Sequence, residues 1–218
     1  MRRRHGPNGP SSLIKEGDIL WEPSEEGVEN ANVTRFMRWL ETEKGLSFDD
    51  YQALWQWSIT DLEGFWGAVW DFFGIKSDGG YSKVVGDDRM PGAAWFPGAT
   101  LNYAENALGS VDDDSAVVSL SELRPPETLT YRQLRERVAS VAAGLKRLGV
   151  GPRDRVVAYM PSIPETLIAF LATSSIGAVW SVCSPEFGTR TVVDRFRQIG
   201  PKVLLAVDGY VYGGRRFP

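Results

Sequence analysis

Residues 155–183 read RVVAYMPSIPETLIAFLATSSIGAVWSVC. Arg155 to Met160 is a short apolar run rich in β-branched residues, the pattern of a strand. Pro161 and Pro164 stiffen the turn that follows. Ser162, with Glu165 three positions on, has the form of a capping box. It predicts a helix that runs to Ile176 and stops at Gly177. Ala178 to Cys183 then reads as a second strand. Two apolar strands joined by a helix of roughly ten to fifteen residues imply a right-handed crossover and a parallel sheet.

The alternation extends both ways. Downstream, Thr189 to Ile199 reads as a helix with Val192, Val193, Phe196 and Ile199 inward, stopped by Gly200-Pro201 and followed by a strand from Val203 to Val207. Upstream, Ala116 to Leu120 reads as a strand. Arg124-Pro125-Pro126 turns the chain, and Thr128-Leu129-Thr130 pairs back as a hairpin. Thr130 and Gln133 form a capping box, with Leu129 and Leu134 placed as its staple. The helix they open carries Leu134, Val138, Val141, Ala142, Leu145 and Leu148 on one face, and Gly149 closes it. Val156, Val157, Val179, Val182, Val203, Leu204 and Leu205 supply the two-sided apolar strands of a buried parallel sheet. The expected fold class is α/β.

The zone before about Leu108 differs. It holds seven of the eight tryptophans, and no segment in it reads as a long strand. Asn32 to Lys44 is expected to be a helix stopped at Gly45, and Ser47 to Trp57 a second. Thr60 and Glu63 have the form of a capping box for a third, whose stripe would be Leu62, Phe65, Trp66, Val69, Trp70 and Phe73, ended at Gly74. Such aromatic density suits a core or an aromatic cofactor box, and core packing is the commoner use. Trp95-Phe96-Pro97-Gly98 reads as an aromatic anchor and tight turn, and Asn102 with Glu105 as the capping pair of a short helix.

Composition narrows the function. The 218 residues carry a net charge of −4, which excludes a broadly basic nucleic-acid-binding face. One cysteine, Cys183, and one histidine, His5, leave no disulfide framework, no multi-cysteine metal site and no Ser-His triad. The basic Met1 to Arg4 lacks a following apolar region, so no secretory signal is read there. The apolar run from Leu167 to Cys183 is broken by Thr173, Ser174, Ser175 and Gly177 and reads as helix and strand, not as a membrane span. A cytoplasmic protein is the expectation. Asp112-Asp113-Asp114 reads as a solvated acidic turn.

Ligands of open α/β sheets bind beyond the carboxyl ends of the strands. Three segments qualify. Pro161-Ser162-Ile163-Pro164 reads as a stiff turn. Ser184-Pro185-Glu186-Phe187-Gly188 lies between a strand and a helix, where its amides could face an anion; Cys183 beside it has no histidine or nearby lysine to activate it and reads as a buried thiol. Asp208 to Phe217 combines paired glycines, two arginines and aromatic rings. That combination fits a nucleotide phosphate site, although composition alone slightly favours a flexible terminus. A dinucleotide site would need G-x-G-x-x-G just after a strand. Gly149-Val150-Gly151 follows a helix instead, and no G-x-x-x-x-G-K-[ST] string is present.

Several strings resemble one family. Trp95-Phe96, Leu101-Asn102, Asn106, the run Gly149 to Val156, Met160-Pro161 and Ile163-Pro164-Glu165 are similar to the short-chain acyl-CoA synthetases, a branch of the adenylate-forming enzymes. Leu20 to Pro23, Asn30 to Phe36, Cys183 to Gly188 and Ala206 to Tyr210 resemble its acetoacetate-using members in particular. Gly, Pro, Asn and Ser without an apolar period in residues 1–12 predict a disordered tail, taken as 1–18; the resemblance implies residues 19–110 as a helical, Trp-rich amino-terminal region and 111–218 as the start of an AMP-binding α/β domain of parallel βαβ layers. It implies a ligase that joins acetoacetate to CoA with ATP and magnesium, giving AMP and diphosphate, with no membrane or nucleic-acid partner. By the same resemblance Tyr212, Gly213, Gly214 and Arg215 contact CoA, and Ser184, Pro185 and Glu186 line its pocket. Tyr212 stands where the acetate enzymes carry arginine, so stacking would replace one ionic contact there. No catalytic or metal-binding residue is implied. The family's Ser/Thr/Gly-rich ATP loop, adenylate aspartate and catalytic lysine have no counterpart in this chain, which is therefore expected to be an inactive amino-terminal piece with an open sheet edge and exposed apolar surface. An acetyl- or propionyl-specific ligase and a non-catalytic CoA- or nucleotide-binding module are the alternatives.

Overall fold

The computed structural model describes residues 15–217, with Tyr212 by its backbone alone. Residues 1–14 of the expected tail, His5 included, lie outside the described residues. The remainder forms two compact units divided between Phe73 and Gly74.

The first unit is helical. After a short α1 (Glu25–Glu29), α2 (Asn32–Trp39) passes without a break into a π-helical turn, Leu40–Lys44, closed by Gly45. Helix α3 (Tyr51–Thr60) starts later than its sequence suggests, because Asp50 accepts a hydrogen bond from the Ala53 amide at 2.8 Å and so sets the start. The Thr60/Glu63 box does not form. Thr60 belongs to the last turn of α3 and donates its hydroxyl to the Gln56 carbonyl, while Asp61 accepts from the Gly64 amide and caps α4 (Leu62–Phe73). The buried stripe of α4 is correspondingly Phe65, Ala68, Val69 and Phe72, packed against Phe36, Leu40 and Leu54. Leu62, Trp66 and Phe73, expected inward, are exposed. The rings of Phe36, Trp39 and Phe72 meet at 5.0–6.0 Å, and Trp57 meets Phe65 edge-on at 5.7 Å. The aromatic side chains therefore interlock as core.

In the second unit, β1 (Val85–Asp87) and β2 (Ala94–Trp95) form a small antiparallel pair. Trp95 is 41% exposed, and Phe96 sits half-buried, edge-on to Tyr81, so this aromatic pair anchors a local turn and not the main core. Asn102 caps α5 (Tyr103–Ala107) through the amides of Ala104 and Glu105. β3 (Ser115–Ser119) and β4 (Glu127–Thr130) form the expected hairpin, and Thr130 with Gln133 closes a complete capping box on α6 (Tyr131–Arg147).

The parallel sheet is built from β5 (Arg155–Tyr159), β6 (Val179–Cys183) and β7 (Val203–Ala206), linked by α7 (Pro164–Ser175) and α8 (Thr189–Ile199), in the order β6-β5-β7. Alternate residues of β5 face opposite layers. Val156 packs with Leu134, Val138 and Leu145 of α6 and Ile168, Leu171 and Ala172 of α7. Val157 packs with Cys183 and with Val192 and Phe196 of α8. The chain steps from β5 to one neighbour and then back across it to the other. Crossovers of one hand then require the two linking helices to lie on opposite faces.

Three expectations need correction in this unit. Ser162 does not cap α7. Pro164 occupies the first helical position, its ring forces Ile163 into an extended conformation (φ −122°, ψ 160°), and Ile163 becomes the cap residue. The outer strands are also not buried on both faces: Val179 and Val182 of β6 are 49% and 46% exposed, and Leu204 of β7 is 58% exposed. Among the described residues, β6 and β7 each pair on one side only. Val193 and Ile199 of α8 are likewise more than a third exposed.

Candidate functional site

The carboxyl edge of the parallel sheet carries all three candidate segments. Parallel pairing aligns Tyr159, the last residue of β5, with Cys183 on one side and Ala206 on the other. The loop after β6 and the segment after β7 thus leave the same edge with β5 between them, about 10 Å apart at two strand spacings.

The loop after β6 is tightly held. Cys183 is 2% exposed in an apolar cluster, so it is the inert thiol its surroundings suggest. Pro185 is buried. Its carbonyl lies 2.6 Å from the Tyr159 hydroxyl, and the Phe187 carbonyl lies 2.7 Å from the same oxygen. The Arg195 guanidinium from α8 sits over the Phe187 ring at 5.5 Å. The Ser184 hydroxyl donates to the Glu186 carboxylate. That bond, aided by the residue's own amide, holds the Glu186 carboxyl below the usual carboxylate range. Of the three loop residues singled out in the sequence, Pro185 is thus turned inward, Ser184 is half-buried and Glu186 is presented outward as a carboxylate.

The segment after β7 is a hairpin, β8 (Tyr210–Tyr212) paired antiparallel with β9 (Arg215–Phe217). Gly213 and Gly214 both have positive φ, 55° and 74°, as a two-residue hairpin turn of the I′ type requires. Apart from each glycine and its chain neighbours, no protein atom lies within 4 Å of where a Cβ would stand on either, so the turn faces open space and its glycines serve backbone conformation. Arg215 is exposed beside the turn. The Tyr212 side chain lies outside the described residues. A feature missed in the sequence is a groove of about 440 Å³ walled by Leu123, Asp208, Tyr210, Val211, Arg216 and Phe217. Tyr210 and Phe217 stack there at 5.0 Å and 16°. Arg216, not Arg215, lines this groove.

Other sequence features fall elsewhere. The run from Gly149 to Val156 sits at the amino edge of the sheet. There the Asp154 carboxylate accepts from the Gly151 amide at 2.8 Å and from Lys202 at 3.0 Å, while the Arg155 guanidinium donates to the Ile199 and Gly200 carbonyls, both at 2.7 Å. This knot ties the ends of α6 and α8 to the start of β5, on the edge opposite the candidate loops. Asp112 and Asp113 are ion-paired with Arg132, and Asp112 also with Arg135. Among the described residues, no group of three or more His, Cys, Asp and Glu side chains could hold a metal ion, and no helix is long and apolar enough to cross a membrane.

Known proteins show the same organisation. A family described as acetyl-coenzyme A synthetase N-terminus matches residues 51–107, and one described as AMP-binding enzyme matches residues 104–214, just over half of the chain. Acetoacetyl-coenzyme A synthetase of Rhizobium meliloti (strain 1021) is 42% identical over 197 residues, covering 90% of this chain and 30% of that protein. Acetoacetyl-CoA synthetase of Macaca fascicularis is 38% identical over 208 residues, covering 93% and 30%. Among solved structures, acetoacetyl-CoA synthetase from Streptomyces lividans matches with a TM-score of 0.84 at 46% identity, covering 90% of this chain and 31% of that one. The chain spans about 30% of the length of the curated relatives it matches. With an α/β unit whose parallel sheet and loops fall within the matched residues, this chain belongs to the AMP-binding enzyme family.

Proposed function

We propose that these residues serve as the amino-terminal part of an ATP-dependent acetoacetate–CoA ligase, which converts acetoacetate, ATP and CoA to acetoacetyl-CoA, AMP and diphosphate with magnesium accompanying ATP. The single observation that carries this reading is the 46% identity to an acetoacetyl-CoA synthetase structure across 90% of the chain. Within it, residues 19–110 form the helical amino-terminal region and 111–218 the start of the AMP-binding domain, after the tail at 1–18. The enzyme works in the cytoplasm, on small-molecule substrates alone.

In this reading the chain contributes to CoA binding and supplies no catalytic residue to adenylation. Arg215, exposed beside the open Gly213-Gly214 turn, meets a CoA phosphate through forked hydrogen bonds, with Tyr212 stacking nearby. Ser184 and Glu186 border the same ligand, and Pro185 shapes their loop from within. A carboxylate repels phosphate, so Glu186 suits the amide N–H groups of the pantetheine arm instead. The test is Arg215→Ala in the ligase that carries these residues. The apparent CoA constant rises roughly tenfold, the loss of about one charge-assisted hydrogen bond, while acetoacetate-dependent pyrophosphate exchange stays nearly unchanged. Equal loss of both activities would count against the assignment.

A further inference from the structure

The geometry points to Tyr159 as the positioning residue that holds both candidate ligand segments in register. It ends the central strand, between Cys183 and Ala206 of the flanking strands. Its hydroxyl lies 2.6 Å from the Pro185 carbonyl and 2.7 Å from the Phe187 carbonyl. Its own carbonyl accepts from the Val207 amide, one residue before the segment that leads into the hairpin. One residue thus touches the β6 loop through its side chain and the β7 segment through its backbone.

The consequence for the loop follows from chain geometry. With the carbonyls on either side of Glu186 both drawn to one phenol, residue 186 is the one left pointing away from the sheet. Its exposed carboxylate, bonded by Ser184, is presented at the carboxyl edge. Arg195 over Phe187 holds the same loop from the helix side. Removing the phenolic oxygen leaves two carbonyls without that partner while the ring still packs with Val157, Val192 and Phe196. The loop should then sample other conformations, with the fold intact.

The ligand in this inference rests on the CoA reading above; the positioning does not. In the 218-residue chain, Tyr159→Phe should raise hydrogen exchange of the Phe187 amide, which donates to the Ser184 carbonyl at 3.1 Å, by roughly tenfold, about one hydrogen bond's worth, with the interior of α8 unchanged. CoA affinity, measured by calorimetry with CoA itself, should fall by a similar factor. The loss caused by Glu186→Gln should shrink when Tyr159→Phe is already present, because the two act through one loop. Arg195→Ala, at an exposed site, loosens the same amide from the other side and gives a second handle on the loop. Unchanged exchange at the Phe187 amide in Tyr159→Phe overturns the inference. So does a fully additive pair of effects on CoA affinity, which would mean that Tyr159 acts through general stability. A chain that binds no CoA in its unsubstituted form sinks the CoA reading alone, and the exchange comparison still decides whether Tyr159 holds the loop.

Discussion

The Lys202 ammonium sits 3.0 Å from the Asp154 carboxylate, joining the residue before β7 to the residue before β5 at the amino edge of the sheet. The Gly151 amide donates to the same carboxylate and is the larger reason that Asp154 stays ionised below the usual carboxylate range. A carboxyl group with a lowered folded-state pKa contributes stability that is complete above its unfolded pKa and is lost as pH falls through its folded value. Asp154→Asn should therefore lower the unfolding midpoint in urea at neutral pH. The gap between variant and parent should close as pH is taken toward about 2, below the ordinary carboxylate range. A gap of constant size across that interval would show that the charge is not what matters.

Asn102 joins two helices. Its side-chain oxygen caps α5 through the Ala104 and Glu105 amides, and its NH₂ donates to the Ser174 carbonyl at 3.1 Å, at the end of α7. Asn102→Ala should cost about 1–2 kcal/mol, a lost cap plus part of a tertiary hydrogen bond. Glu105→Ala should change stability by less than about 0.5 kcal/mol, since no return bond from Glu105 to the Asn102 amide is formed. Denaturant titrations of the two variants, compared at equal slope, check the contrast.

Leu129 is 2% exposed and packs in the cluster that contains Leu134, its partner across the capping box of α6. Leu129→Ala should destabilise by about 2–5 kcal/mol, the range for opening a cavity in a packed core. Val118, two-thirds exposed on the neighbouring strand, should tolerate Thr with a change below about 0.5 kcal/mol. Similar losses from both would mean that the hairpin is not packed as described.

Arg153 has φ 66°, and its amide donates to the Gly177 carbonyl at 2.9 Å. A left-handed backbone costs an ordinary residue roughly 1–2 kcal/mol and glycine almost nothing. Arg153→Gly should leave thermal stability unchanged or slightly raised, because the relief of strain offsets the added freedom of the unfolded chain. Arg153→Val should lower it clearly, a β-branched side chain being the worst fit to positive φ. Scanning calorimetry of the pair gives the answer in the order of the two midpoints.

Much of the α/β unit was legible because its signals are local. The capping box of Thr130 and Gln133, the stop glycines and the β-branched runs of β5, β6 and β7 each act within a few residues, and α8 begins and ends where its periodicity places it. The misread helix caps share one cause, competition between neighbours. At α7 the backbone constraint of Pro164 overrides the side chain of Ser162, and at α4 Asp61 displaces Thr60 as the cap. The stripe of α4 was ambiguous because nearly every position on it is apolar. Only packing against Phe36 and Leu54 selects Phe65, Val69 and Phe72 over Leu62, Trp66 and Phe73.

At the candidate site the division is sharper. The residue types and strings that mark the family, and the positive-φ turn that Gly213-Gly214 demands, are written in the chain itself, because turn chemistry and strand pattern depend on adjacent residues. Which side of the sheet each loop leaves from, that Pro185 turns inward, that Arg216 and not Arg215 lines a groove, and that Tyr159 reaches across to residues 26 and 28 positions away were decided by strand order and pairing register. Those depend on contacts between segments far apart in the chain, and such contacts exist only once the sheet has assembled.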